Sequence, residues 1–180
     1  MSPLATFAPG RSLRHHHAIS TIFVATGTGP PSYCYPTSST TWPTADLAIY
    51  VPVLVKHRVV VRKLAMAIQV QAGNIDIGVY SASGVRQVST GTQAASTGGV
   101  YDVTDTTIGP GLFYLAGVAD TTSTLSVYRA ATPAPTCAAA GVLTEQLGAG
   151  GALPSTATWA VNQTLAFYPA LTMLLEETVA

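Results

Sequence analysis

The chain has 180 residues, eight Lys or Arg, eight Asp or Glu and four His, a formal net charge of zero, and 48% hydrophobic against 9% charged residues. Globular domains ordinarily carry about a quarter charged residues, so this chain lacks the field that would steer it toward nucleic acid or anionic lipid. No stretch reaches the roughly 20 apolar residues that span a bilayer as a helix, and no secretory pattern opens the chain, because the apolar run after Arg11 and Arg14 is short and broken by Thr.

Residues 1–46 differ from the rest. They are rich in Pro, Ser, Thr and Gly, as in Thr26-Gly-Thr-Gly-Pro-Pro-Ser and Pro36-Thr-Ser-Ser-Thr-Thr-Trp-Pro. Such a segment buries too little surface to fold alone. It reads as an extended N-terminal arm pinned against its own body or a neighbouring subunit. Its one strand-like run is Ile19 to Val24. The aromatic residues Phe23, Tyr33, Tyr35 and Trp42, with the His15-His16-His17 run, are the expected interface residues of the arm.

From Leu47 to Ala180 the strand signals follow one another. Ile49, Val51, Val53 and Val55 alternate with Tyr50, Pro52 and Leu54, and Pro52 places this strand at an edge or a bulge. A Val triplet follows between Arg58 and Arg62. Leu64, Met66, Ile68 and Val70 then share one face of a half-buried strand. After the turn at Ala72-Gly-Asn74, Ile75, Ile77 and Val79 point inward, with Asp76, Gly78 and Tyr80 opposite. Ser81-Ala-Ser-Gly84 closes a hairpin onto Val85 to Ser89. A polar connection leads to Val100 to Val103. Thr104 to Thr107 and Ile108-Gly-Pro-Gly111 read as turns. Leu112 to Val118 is apolar on both faces, which predicts a central strand covered on both sides. Leu125 to Tyr128 follows. Residues 130–158 form a long Ala/Gly/Pro-rich loop, within which Ala138 to Leu147 has the spacing of a short helix stopped by Gly148. Trp159 to Asn162, Leu165 to Tyr168 and Leu171 to Leu175 complete the pattern. The chain therefore reads as all-β, a jelly-roll-like β-sandwich of about eight strands in residues 47–180, preceded by the arm in residues 1–46.

Chemistry finds few footholds. Adjacent histidines on a strand point to opposite sides, so at most two of His15, His16 and His17 could share an ion, and no local carboxylate or thiol accompanies them. No metal and no cofactor is expected. Apart from the terminal Glu176-Glu177, Asp102 and Asp105 are the closest acids in the body, but the first falls in a strand and the second in a Thr-rich turn where Asp caps backbone amides. No nucleophile elbow, phosphate loop or dinucleotide fingerprint is present, and no enzymatic activity is expected. Lys56, Arg58, Arg62 and Lys63 are the one basic cluster, read as solvated or as ion pairs with a neighbouring subunit, since net neutrality disfavours nucleic acid. Whether Cys34 and Cys137 pair is open.

Several motifs in sequence order carry a resemblance: Ala48-Ile-Tyr-Val-Pro-Val, Asn74-Ile-Asp-Ile-Gly-Val-Tyr-Ser-Ala-Ser-Gly, Ser89-Thr-Gly, Ile108-Gly-Pro-Gly-Leu-Phe-Tyr-Leu-Ala, and later Leu153-Pro-Ser-Thr-Ala-Thr and Pro169-Ala-Leu-Thr. Together they resemble β-sandwich domains of structural and fibre-associated virion proteins of tailed bacteriophages. The resemblance implies a symmetric homo-oligomer, commonly a trimer, assembled in the host cytoplasm and carried on the virion as a capsid decoration, head-fibre or tail-fibre module. Its implied partners are other virion proteins, with the arm as the docking element. A carbohydrate-binding module that attaches the virion to a host glycan is the alternative, and neither reading calls for a membrane.

Overall fold

The computed structural model describes residues 16–20, 38–96, 99–130 and 133–177. Fifteen strands and one short helix lie among them: β1 (His16–Ser20), β2 (Ser38–Thr41), β3 (Leu47–Val55), β4 (Val59–Met66), β5 (Ile68–Val70), β6 (Asn74–Ser81), β7 (Arg86–Ser89), β8 (Gln93–Ala94), β9 (Val100–Ile108), β10 (Gly111–Ala119), β11 (Ser126–Ala130), α1 (Ala134–Ala139), β12 (Leu143–Gln146), β13 (Ala160–Val161), β14 (Tyr168–Pro169) and β15 (Leu171–Glu177). The protein is an all-β sandwich, as the alternation predicts. Thirteen of the strands lie in residues 47–180, against about eight expected there, because long runs are broken by bends and because short pairings occur within the loops.

One layer is the antiparallel sheet β1-β15-β4-β9, and the other is β13-β12-β3-β10-β6-β7 with β8 also on β6. Their inner faces supply one core. Ile49, Val51, Val53 and Val55 of β3, Ile75, Ile77 and Val79 of β6, and Leu115 of β10 meet Val61, Leu64 and Met66 of β4 and Leu171, Met173 and Leu175 of β15. At Gly117 the layers come so close that a Cβ would stand 2.8 Å from Met66 Cε and 3.2 Å from Leu171 Cδ2. A side chain there would overpack the contact.

A bulge explains an irregularity of β4. Val59 and Val61 face inward in one phase, Leu64 and Met66 in the other. The register with β9 shifts between Val61 and Lys63, and that with β15 between Leu174 and Leu175. One extra residue turns the apolar set back to the core.

A third, smaller sheet closes one end. The paired β4 and β15 splay beyond Ala67 and Ala170, and one edge of β11 pairs with both continuations, Ser126 and Val127 with β5 and Arg129 and Ala130 with β14. The Tyr128 amide donates to Ala67 O (2.8 Å), and the Ala170 amide donates to Tyr128 O (3.0 Å). The other edge of β11 takes β2, Ser38 to Thr41 against Arg129 to Ser126.

Several expectations are corrected. Residues 38–46 belong to the body, although the composition of residues 1–46 reads as one arm. β2 completes the third sheet, and Trp42 is buried (1% exposed). Among the described residues of the arm, His16–Ser20 form the strand β1, which takes in Ile19 of the expected run, while residues 21–24 lie outside the described residues. Strand β1 pairs antiparallel with β15, His16 opposite Glu176 and Ser20 opposite Thr172. The helix expected over Ala138 to Leu147 is instead α1, ending at Ala139, followed by β12. The free edge of β3 accepts Leu143 to Gln146 as a strand opposite Tyr50 to Leu47, and this ladder overrides a weak helical spacing. That pairing stops at Tyr50, so Pro52 lies where the edge of β3 is open. Thr104 to Thr107 continue β9 rather than turn. Val70, expected inward, is exposed.

The outer face of the larger sheet holds the main surprise. Asp76 and Tyr80 sit on the side expected to meet water, yet both are buried. The segment after β12 folds back over Ala48, Tyr50, Tyr80, Ala116 and Val118 and seals them with Leu153 and Trp159. Hydrogen bonds fix this cover. Gly151 N and Gly150 N donate to the Asp46 carboxylate (2.7 and 3.2 Å), Leu153 N donates to Asp76 Oδ2 (3.0 Å), Arg86 Nη1 to Leu153 O (2.5 Å) and Tyr80 OH to Pro154 O (2.5 Å). Asp46 adopts φ +58° to make these bonds, a conformation Asp tolerates better than most residues.

Candidate functional site

Two surfaces stand out. The first is the uncovered half of that outer face. Cross-strand partners share a face, so Leu54 and Leu112, then Pro52 and Tyr114, then Tyr50 with Ala116 and Leu143, and finally Val161 with Leu143, form one continuous row set. The cover reaches only part of it. Leu54 is 60% exposed, Val161 51% and Leu112 43%. At the border the Trp159 and Tyr114 rings lie 4.6 Å apart, half-exposed, with Trp159 also edge-on to Tyr50 at 5.1 Å. Tyr50 OH donates to Glu145 Oε2 (2.9 Å) and Thr158 Oγ1 to Glu145 Oε1 (2.5 Å). The strap carrying Trp159 is thus tied to β12. Burial, the Tyr80 neighbour and Glu145 together push the Tyr50 hydroxyl far above its ordinary pKa, so it acts as a neutral donor. The row from Leu54 and Leu112 to Val161 is apolar, and the Glu145 carboxylate at its Trp159 border is held by Tyr50 and Thr158, which is closer to the makeup of an interface core than of a reactive centre.

The second is a cleft of about 450 Å³ at the opposite, third-sheet end, within the ordinary range of small-molecule clefts, roughly 300–1,000 Å³. Strand β2 supplies Thr40 and Thr41 and the following turn Thr44. The loop before β14 supplies Asn162 and Thr164, and β11 supplies Arg129. The floor is apolar and rigid. Trp42 Nε1 donates to Leu47 O (2.9 Å), and its ring meets Phe167 edge to face at 5.3 Å. Arg129 crosses that floor with its guanidinium 5.9 Å from the Phe167 centroid, and Nη1 donates to Ala166 O (3.2 Å). Its Nε is buried without an acceptor. Thr164 N and Oγ1 both donate to Asn162 Oδ1 (2.9 Å each), which holds the loop and leaves the Asn162 amide nitrogen for a ligand.

The residues named from sequence fall as follows. His15, Phe23, Tyr33, Tyr35 and Cys34 lie outside the described residues. His16 and His17 are in β1, with Glu176 and Leu175 as backbone partners. Trp42 is buried within its own chain at the floor of the cleft, through the β2 pairing. Asp102 and Asp105 are both on β9, and each faces a cation of the neighbouring strand, Asp102 with Lys63 (2.7 Å) and Asp105 with Arg62 (3.4 Å). Lys56 and Arg58 lie in the turn between β3 and β4. Cys137 is buried in α1, and burial raises its thiol pKa. Among the described residues no group of three His, Cys, Asp or Glu is placed to hold a metal, and no helix is long and apolar enough to cross a membrane. Nothing local in the sequence marks Leu54, Leu112, Val161 or Arg129 as site residues. Their alternation identifies a face, but which part of it stays open depends on how far the cover reaches.

No family model, curated protein or solved structure matches the chain.

Proposed function

We propose that this chain is a non-catalytic structural module of a tailed-phage virion, a capsid-surface or tail-fibre-associated protein that self-assembles and docks through its N-terminal arm. The observation that supports this reading is the open apolar face from Leu54 and Leu112 to Trp159 on a chain with so few charges. Exposed rows of this kind mark association surfaces, and half-exposed Trp and Tyr at their border are the residue types that dominate binding energy. The arm fits the same reading. Strand β1 precedes residues 21–37 and completes the edge of β15, a geometry in which a strand can be donated by the same chain or by a neighbour. The phage assignment draws on the motifs quoted above, and a trimer is the arrangement they imply.

The test is sedimentation of the full chain beside a Leu54→Glu, Leu112→Glu double variant. The wild type is expected as a closed oligomer and the variant as a monomer with unchanged far-ultraviolet circular dichroism. Each buried Leu is worth about 1.5–3 kcal/mol, so association should weaken by roughly a hundredfold or more. A monomeric wild type at micromolar concentration, or an oligomer indifferent to both substitutions, would overturn the assembly surface.

A second reading, attachment to a host glycan, is favoured by a separate observation: the cleft beside Arg129, walled by Thr and Asn over an apolar floor.

A further inference from the structure

We infer that the cleft between β2 and the loop before β14 binds an acidic saccharide, with Arg129 taking its carboxylate and the Thr and Asn walls its hydroxyls. This rests on the glycan-attachment reading and names the class of glycan.

Among the described residues Arg129 faces no carboxylate, and its one hydrogen bond from the side chain is Nη1 to Ala166 O. Its Nε is buried and without an acceptor. The half-exposed guanidinium thus has no carboxylate beside it, and an anion in the cleft would supply a charge-assisted partner. Phe167 lies under the side chain and the Ala166 carbonyl holds one end of the fork. The group is therefore positioned before any ligand arrives, which lowers the entropic cost of binding.

The rest of the wall selects what carries the anion. Thr40, Thr41, Thr44, Asn162 and Thr164 bring hydroxyls and one amide nitrogen to the cleft, and neither Lys nor a second Arg joins them. A single cation matches a singly charged carboxylate better than a doubly charged phosphate. Neutral donors and acceptors on both walls match the hydroxyls of a sugar ring. The Trp42 and Phe167 rings are buried as floor, so recognition runs through polar groups rather than through ring stacking.

The experiment is titration of the full-length protein with D-glucuronate, D-glucose and inorganic phosphate, followed by calorimetry and by amide shifts of residues lining the cleft. Glucuronate is expected to bind at millimolar concentration and at least tenfold more tightly than glucose or phosphate. Arg129→Gln should lose at least tenfold in glucuronate affinity, and Arg129→Lys should recover part of it. Thr41→Val suits the strand and leaves Arg129 in place, and it should weaken glucuronate severalfold with no change in melting temperature. Equal binding of glucose and glucuronate would overturn the inference and leave glycan attachment standing. Tighter binding of phosphate would overturn the choice of carboxylate. If neither sugar moves the lining residues of the folded wild type, both this inference and the glycan reading fail.

Discussion

At the scale of single residues, Asp76 shows how the fold departs from simple alternation. It occupies an outward position of β6 and is nevertheless 1% exposed, because the cover closes over it. Burial raises its pKa above the ordinary 3.8, while the bonds from Leu153 N and Thr90 Oγ1 and the Arg86 charge pull the other way. A raised carboxyl pKa means that the native state holds its proton more firmly than the unfolded chain. The resulting stability is fully present below pH 3.8 and is lost as pH rises through the native value. Asp76→Asn removes this dependence. Its carbonyl accepts from Leu153 N, and its amide donates to Thr90 Oγ1, whose own proton has Gly91 O as an acceptor at 2.9 Å. Denaturant unfolding of both proteins from about pH 3 to about pH 7 should therefore show the variant gaining on the wild type as pH rises, by about 1.4 kcal/mol per pH unit of the native shift. Parallel stability curves would show that the carboxylate is not desolvated as the structure places it.

At the scale of elements, the division between arm and body is set by pairing rather than by composition. Ser38 to Thr41 fill an edge of β11, and Trp42 then closes the core against Phe167. Deletion of residues 1–37 is expected to leave a body that unfolds cooperatively, at a lower temperature because β15 loses β1. Deletion through Pro43 also removes β2 and the Trp42 side chain. Loss of a buried Trp costs about 3–5 kcal/mol, a large part of the about 5–15 kcal/mol that holds a domain together. That longer deletion should abolish the near-ultraviolet signal and the cooperative melt. Equal melts for the two truncations would return residues 38–43 to the arm. The same segment shows what could be read in advance. The runs Ile49 to Val55, Ile75 to Val79 and Leu112 to Val118 declared themselves because period-two patterning is local. Ser38 to Thr41 is a polar, Thr-rich stretch whose pairing with β11 depends on residues far along the chain. The β12 pairing was hidden for a similar reason: the exposed edge of β3 decides it, and the Leu143 and Leu147 spacing does not. The cleft depends on both, since β2 and the loop before β14 form its walls, and Arg129 has no local motif to announce it.

At the scale of the whole molecule, the question is what force would hold copies together. Eight cations and eight anions cancel, and the two ion pairs between β4 and β9 are largely exposed, with side chains of Asp102 and Asp105 mostly in water. Such pairs contribute little and fade as salt screens them. The open face from Leu54 to Trp159 is mostly apolar, with the Glu145 carboxylate at its border already held by Tyr50 and Thr158, so its association would be driven mainly by removal of apolar area from water. That driving force strengthens when excluded salts such as sulfate raise the cost of exposed surface. The assembled fraction, followed by sedimentation, should accordingly stay level or rise as sodium chloride increases from about 50 mM to about 500 mM, where the screening length falls well below the width of the face. Sodium sulfate should raise it further. Dissociation by sodium chloride would instead assign the contact to charged residues, with the Lys56, Arg58, Arg62 and Lys63 region as the first place to look, and would remove the physical basis for placing the subunit contact on the larger sheet.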